Sequence, residues 1–237
     1  MSLQKLSIII PAYNEEDTIE LILDRVFAVE LTNNISKEII IVNDGSKDST
    51  SERINSFIQA NPDKPIQFIE HDKNKGKGAA VQTGIQAATG DYVLIQDADL
   101  EYDPRDYNAL IDPVLTGNAE VVYGSRFISG KPHRILFFWH SIGNRLLTFL
   151  SNMFSNLNLT DMEVCYKMFK TDIIKDIKLV ERSFGFEPEV TAKIAKIKDI
   201  KIYEVGISYF GRTYKEGKKI NWKDGLRAIY CIIKYNL

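Results

Sequence analysis

Gly90 to Asp103 reads GDYVLIQDADLEYD, an apolar strand over Tyr92 to Ile95 that runs directly into Asp97, Asp99, Glu101 and Asp103. In an extended segment residues two apart point to the same side, so Asp97, Asp99 and Glu101 are expected to aim at one point. Three like charges so placed are costly without a cation. Hard divalent metals accept such oxygen ligands, and Mg2+ commonly keeps one or two protein carboxylates together with substrate phosphate and water. The stretch is therefore a candidate metal and diphosphate site. A lone D-x-D after a strand reads more readily as a solvated acidic turn, and the neighbouring sequence reverses that balance.

The same strand-then-polar pattern recurs on either side. Leu6 to Ile10 ends in Pro-Ala-Tyr-Asn, Glu38 to Val42 closes on Asn43-Asp44-Gly45-Ser46, and Pro65 to Glu70 leads into the basic glycine-rich His71 to Gly78. Glu120 to Tyr123 runs into Gly124-Ser125-Arg126. Continuous apolar runs of this kind suit strands buried on both faces of a parallel sheet. Helices are expected between them: one capped by Asn14, one over Ser49 to Ala60, one over Ala79 to Ala88 and one over Pro104 to Leu115. The alternation predicts an α/β fold, a Rossmann-like and mostly parallel central sheet flanked by helices. All five polar clusters then lie at strand C-terminal ends, where open α/β sheets bind ligands. Glu15, Glu16 and Asp17 in the first helical turn suit the helix dipole and repel phosphate, so a nucleotide would meet that corner with its base or ribose.

After Arg126 the rhythm changes. Ile135 to Trp139 is apolar, and Ile142, Leu146, Phe149, Leu150, Met153 and Leu157 recur at helical spacing. Tyr166 to Phe169 reads as a short strand, Glu187 to Lys196 as a helix, and Lys201 to Val205 and Ile207 to Phe210 as strands. A basic loop, Gly211 to Lys219, precedes a final helix capped by Asn221, on which Trp222, Leu226, Ile229 and Ile233 share a face. With no repeat or long linker, the expectation is one domain over residues 1–237, with a nucleotide half to about residue 130 and an acceptor half from about residue 131.

The 237 residues are 44% apolar and 26% charged, with a net charge of -2. That balance gives no bulk attraction to nucleic acid or acidic lipid, so anion binding must come from local clusters. Cys165 and Cys231 lack C-x-x-C spacing, and two lone thiols suit a cytoplasmic chain. No basic leader with an apolar core opens the sequence, and no run reaches the roughly 18 apolar residues of a spanning helix.

Two common nucleotide motifs are absent: Gly76 to Val81 lacks the third glycine of a dinucleotide fingerprint, and no G-x-x-x-x-G-K-[ST] occurs. What remains is P-A-Y-N-E-E at Pro11 to Glu16, V-N-D-G-S at Val42 to Ser46, N-K-G-K-G at Asn74 to Gly78 and Q-D-A-D-L at Gln96 to Leu100. In this order and spacing the set resembles the family 2 inverting glycosyltransferases of GT-A fold. G-S-R-F at Gly124 to Phe127, T-D-M-E-V-C-Y-K at Thr160 to Lys167 and G-R-x-Y-x-E-G-K-K at Gly211 to Lys219 are similar to the dolichol-phosphate mannosyltransferase-like subgroup, which moves sugars onto polyprenyl (dolichyl or undecaprenyl) phosphate. Asn43 stands where many members have a second aspartate, and Glu101 where several have glutamine. Many relatives also carry C-terminal membrane helices that this sequence lacks.

The resemblance implies that Pro11, Tyr13, Glu15, Val42 and Asp44 hold the base and ribose of a nucleoside-diphosphate sugar. Lys75 and Lys77 beside a helix start suit its diphosphate. Asp99 and Glu101 would hold Mg2+ or Mn2+, with Asp97 and Ala98 of the same motif against nucleotide or sugar. An acceptor hydroxyl would need a general base, for which Asp161 and Glu163 are candidates. An acceptor phosphate, with a second pKa of about 6, is already largely a dianion at neutral pH. It needs a cationic seat instead, for which Arg126, Arg145, Arg212 and Lys218 are candidates. His71, His133 and His140 lack ligand spacing and read as structural or solvated. Three alternatives stay open: a family 2 transferase acting on a saccharide hydroxyl with Asp161 as base, a sugar-phosphate nucleotidylyltransferase, and a non-catalytic nucleotide-sugar binder. The cluster Ile135 to Trp139, following Lys131, His133 and Arg134, pairs apolar and cationic groups as the interface of an anionic bilayer requires. Peripheral contact with the cytoplasmic face of a membrane is expected there.

Overall fold

The computed structural model describes residues 3–128, 130–132, 134–135, 137–212 and 222–237, with the side chains of residues 222 and 223 excepted. Lys218, most of the basic loop before it, Asn221 and His133 lie outside the described residues.

Strands and helices alternate through the first half: β1 (Lys5–Ala12), α1 (Ile19–Ala28), β2 (Ser36–Asn43), α2 (Thr50–Ala60), β3 (Ile66–Glu70), α3 (Lys77–Ala87), β4 (Tyr92–Ile95), α4 (Tyr107–Gly117) and β5 (Val121–Ser125). There follow α5 (Phe138–Ser155), β6 (Lys167–Lys170), α6 (Thr171–Asp176), α7 (Phe186–Ala195), β7 (Ile202–Gly206) and α8 (Trp222–Asn236). The seven strands form one sheet in the order β3-β2-β1-β4-β6-β5-β7. Leu6, Ile8 to Ile10, Ile39 to Val42, Val93 and Leu94 are wholly buried, as continuous apolar runs demand. Each such side chain contributes roughly 1.5–3 kcal/mol on burial. α3 lies so close to the sheet that a Cβ at Gly84 would fall 2.4 Å from Ile9 Cγ2.

Two expectations are corrected, the strand over Ile207 to Phe210 and the cap at Asn14, and two features add to the mostly parallel sheet and the apolar stripe read from the sequence. Parallel pairing holds for β1 with β2 and β4, β2 with β3, and β5 with β7, but β6 enters between β4 and β5 antiparallel to both. It therefore begins at the edge where β4 and β5 end, with Lys167 opposite Tyr123, and carries residues 160–166 along that edge. Ile207 to Phe210 is not a strand. Its backbone N–H groups turn to separate partners, Ser125 O, Asp106 Oδ2, Pro132 O and Glu101 O, leaving a single bridge between Tyr102 and Tyr209. Asn14 does not cap α1, which starts at Ile19; it takes φ of 51°, and joins Ser46 and Lys47 through its N–H and Oδ1. Lastly, α5 reverses the usual arrangement. Its buried residues are Asn144, Thr148 and Ser151, whereas Ile142, Leu146, Phe149 and Met153 of the apolar stripe are exposed. Leu150 and Leu157 pack partly against the core. The helix is held by polar contacts to residues 159–162: Asn144 Nδ2 to Asp161, Met162 N to Thr148 Oγ1, and a reciprocal pair between Asn152 and Leu159.

Candidate active site

The C-terminal ends of β1, β2, β4 and β5, the segments before β6 and after β7, and the facing sides of α5, α7 and α8 wall one pocket of about 850 Å3. Its lining includes Pro11, Tyr13, Glu15 and Asp44, the acids Asp97, Asp99 and Glu101 with Ala98, and the apolar Phe137, Trp139 and Leu147.

Past Ile95 the chain leaves the extended form, so the alternation of a strand does not carry all three acids to one point. Asp97 turns to Lys77, 2.7 Å away, with Glu187 3.9 Å from the same ammonium. Burial alone would raise the Asp97 carboxyl; the Lys77 ammonium outweighs it and holds the group below the usual range. Asp99 and Glu101 converge instead on Arg212. Its Nη2 lies 2.5 Å from Asp99 Oδ2, its Nε 3.2 Å from Glu101 Oε1, and its backbone N–H donates to that same oxygen at 2.8 Å. Burial and the neighbouring charges of Asp97 and Glu101 push Asp99 up to about 7 despite the arginine. Two carboxylates facing one cationic point, and still short of positive charge, suit a divalent ion. Asp99 and Glu101 fit that role; Asp97, committed to Lys77, does not share the point. Among the described residues no three acidic, histidine or cysteine side chains form a ready metal cluster.

The turn carrying these acids is fixed from below. Gln96 is buried, and its Oε1 accepts from Tyr107 and Tyr166 hydroxyls at 2.7 and 2.6 Å, while its Nε2 donates to Asp97 O. Tyr209 adds a hydrogen bond from its hydroxyl to Glu101 Oε2 at 3.0 Å.

Asp44 lines the pocket, but its carboxylate is engaged in shaping it: Oδ1 meets His71 Nδ1 at 2.6 Å and accepts from Lys75 N, and Oδ2 accepts from Gly76 N at 2.7 Å. His71 is structural, its other nitrogen 2.9 Å from Thr83 Oγ1. Val42 is wholly buried and outside the lining. Lys75 also stands outside it and pairs with exposed Asp72, so of the two loop lysines only Lys77 reaches the pocket. The loop glycines serve chain packing: a Cβ at Gly76, which has φ of 97°, would meet Arg182 O at 2.2 Å, and one at Gly78 would meet Glu181 O at 2.5 Å.

Arg126 lines the pocket and is held by Asp161 through Nε at 2.6 Å and Nη2 at 2.7 Å, with its guanidinium over the Tyr209 ring. Asp161 is fully buried, takes a further bond from Asn144, and is held below the usual carboxylate range because Arg126 outweighs the burial. It does not line the pocket, so the candidate base is a support for Arg126. Arg145 is exposed and stacks over Phe127, away from the lining. Glu163 lines the pocket, pushed up to about 8 by burial and by the Glu187 charge. Sequence reasoning missed Glu187, Asn144 and Tyr209. The Glu187-Pro188-Glu189 run at the start of α7 held a readable signal, since one acid caps the preceding N–H groups of Val180 and Glu181 and the other is left for the pocket.

Comparison with known proteins gives this geometry a lineage. The chain is 25% identical over 90% of its length to a dodecaprenyl-phosphate galacturonate synthase of Rhizobium johnstonii, of which it spans 61%. It is 38% identical over 51% of its length to a dolichyl-phosphate β-glucosyltransferase of Dictyostelium discoideum, of which it spans 39%. It is 29% identical to a UDP-N-acetylglucosamine–dolichyl-phosphate N-acetylglucosaminyltransferase of Methanococcus voltae, with 95% of this chain and 94% of the other matched. Among solved structures, glucosyl-3-phosphoglycerate synthase of Mycobacterium tuberculosis with Mn2+, UDP-glucose and phosphoglyceric acid superposes with a TM-score of 0.75 at 18% identity, covering 98% of this chain and 80% of that one. The fold is thus the GT-A fold. Residues 7–178 match the family described as Glycosyl transferase family 2, and the chain belongs to that family.

Proposed function

We propose that the chain, working as one domain, transfers a sugar with inversion from a nucleoside-diphosphate sugar to a polyprenyl phosphate at the cytoplasmic face of a membrane. The observation that carries this reading is the state of Asp161. Buried and hydrogen-bonded twice to Arg126, it has no path to an acceptor hydroxyl, and Glu163, the other candidate, is pushed up to about 8 and so holds its proton at neutral pH, whereas the pocket holds cations suited to a phosphate. The three relatives named above carry polyprenyl phosphates in their names, which supports the same acceptor.

In this reading Pro11, Tyr13 and Glu15 receive the nucleoside, Asp44 fixes the loop beneath it, and Lys77 faces the diphosphate. Asp99 and Glu101 would hold Mg2+ or Mn2+, which would supply Lewis-acid stabilisation of the leaving diphosphate. Arg126 and Arg212, each steadied by carboxylates, line the pocket and present positive charge to the acceptor phosphate. Mn2+ in the superposed synthase supports a divalent ion in this fold. Ile135, Phe138 and Trp139 are exposed, at 81%, 66% and 80%, with Trp139 on the pocket lining, and suit contact with the lipid phase. No helix among the described residues is long and apolar enough to cross a membrane.

Asp99→Ala should abolish transfer with an unchanged far-UV spectrum and melting temperature, because it removes a ligand from a turn and no core contact. EDTA should do the same to the parent. Full transfer in either case refutes the metal role.

A further inference from the structure

Among the described residues three buried side-chain atoms lack a hydrogen-bond partner: Asn144 Oδ1, Glu163 Oε1 and Glu187 Oε2. All three residues line the same pocket, brought there by α5, the segment before β6 and the first turn of α7. Each unpaired acceptor costs about 1–3 kcal/mol. Three on the lining of one pocket mark a place for a ligand that donates. The pocket's lysine and two arginines are meanwhile engaged: Lys77 with Asp97, Arg126 with Asp161, and Arg212 with Asp99 and Glu101. Lys167, behind the wall, is buried and donates to Val164 O.

We infer that Asn144, Glu163 and Glu187 form the sugar-reading wall of the site, accepting hydrogen bonds from a neutral hexosyl or N-acetylhexosaminyl donor and rejecting a hexuronosyl one. The inference rests on the proposed glycosyl transfer and names its sugar class. Of the parts of the two substrates, only the sugar and the nucleoside carry hydroxyl or amide donors, and the nucleoside is assigned to Pro11, Tyr13 and Glu15. A diphosphate or a lipid phosphate dianion offers acceptors alone, and an isoprenoid chain offers neither. The terminal carboxyl and amide groups turn about a broad final torsion, which lets each present its free oxygen to a ligand lying along the wall. A uronate carboxylate, by contrast, brings a charge and no donor. Set beside Glu187, it would meet repulsion with no uncommitted lysine or arginine among the described lining residues.

Calorimetric titration with Mn2+ present tests this without turnover. The probes are UDP, UDP-glucose, UDP-N-acetylglucosamine and UDP-glucuronate, with GDP, GDP-mannose and GDP-mannuronate run in parallel. For whichever base binds, the neutral sugar nucleotide should bind at least tenfold more tightly than the uronosyl one. Glu187→Gln should cut that ratio to threefold or less while free nucleoside diphosphate binds as in the parent. Equal affinity for neutral and uronosyl donors overturns the inference, as does an unchanged ratio in Glu187→Gln at wild-type melting temperature. If that variant fails to fold, the parent's ratio alone decides. Failure of every nucleotide to bind would instead overturn the glycosyl-transfer reading beneath it.

Discussion

Asp161 shows how far a residue's neighbours decide its chemistry. As a carboxylate in T-D-M-E-V-C-Y-K it was a fair candidate for a base, and nothing in its spacing revealed that Arg126, 35 residues earlier, takes both its oxygens. Asp161→Asn is expected to lower transfer by loosening Arg126, with a loss that stays constant from pH 7 to 9, and to lower the melting temperature. Asp161→Ala, which strands a buried guanidinium, should cost about 3–5 kcal/mol in urea unfolding. A loss relieved as pH rises would restore the base and the hydroxyl acceptor. The acids of the D-A-D-L-E stretch were legible as a cation site, but their division between Lys77 and Arg212 was not, because both cations reach them from distant segments. Lys75 and Lys77 look alike in sequence. Only the packing of residues 181–183 against the loop separates the one that faces the pocket.

At the level of elements, strands and helices of the first half follow from apolar runs closed by polar turns, and the parallel pairing of β1 with β2 and β4 follows from their alternation with helices. The antiparallel entry of β6 could not be read, since four residues carry no mark of direction. The reversed burial of α5 was hidden for a related reason: a helical apolar stripe announces a face and not what covers it. One tie between elements carries a clear pH signature. Glu38 on β2 accepts from Lys5 Nζ, Ser7 Oγ, and the N–H and hydroxyl of Thr89, joining β1, β2 and the turn before β4. These bonds outweigh its burial and lower its pKa to about 2 from an ordinary 4.5. An acid whose pKa is lower in the folded state contributes stability above its unfolded value and loses it as pH falls towards the folded one. Glu38→Gln should therefore destabilise by about 1–3 kcal/mol at pH 7, with a deficit that shrinks as pH falls from 4.5 towards 2. A deficit independent of pH would show that the ionised form is not what the network holds.

For the molecule as a whole, the apolar groups turned outward gather on the α5 side of the pocket, and α8, which packs against α5, adds exposed Leu226, Tyr230 and Ile233. A lipid acceptor would bring its phosphate to Arg126 and Arg212 and leave its chain along such a surface. Replacing Phe138 and Trp139 together by serine is expected to weaken liposome binding several-fold and to raise the requirement for a long-chain acceptor, with melting temperature and donor binding near the parent's. Unchanged liposome binding, or unfolding of the pair variant, would remove the membrane assignment. The central claim, that the acceptor is a lipid phosphate, is tested most directly by product analysis with labelled UDP- and GDP-sugars, Mn2+, and either undecaprenyl phosphate or undecaprenol. The account predicts an inverted sugar phosphodiester with the phosphate alone; label on the free alcohol, on an added saccharide, or on neither lipid with any donor would contradict it.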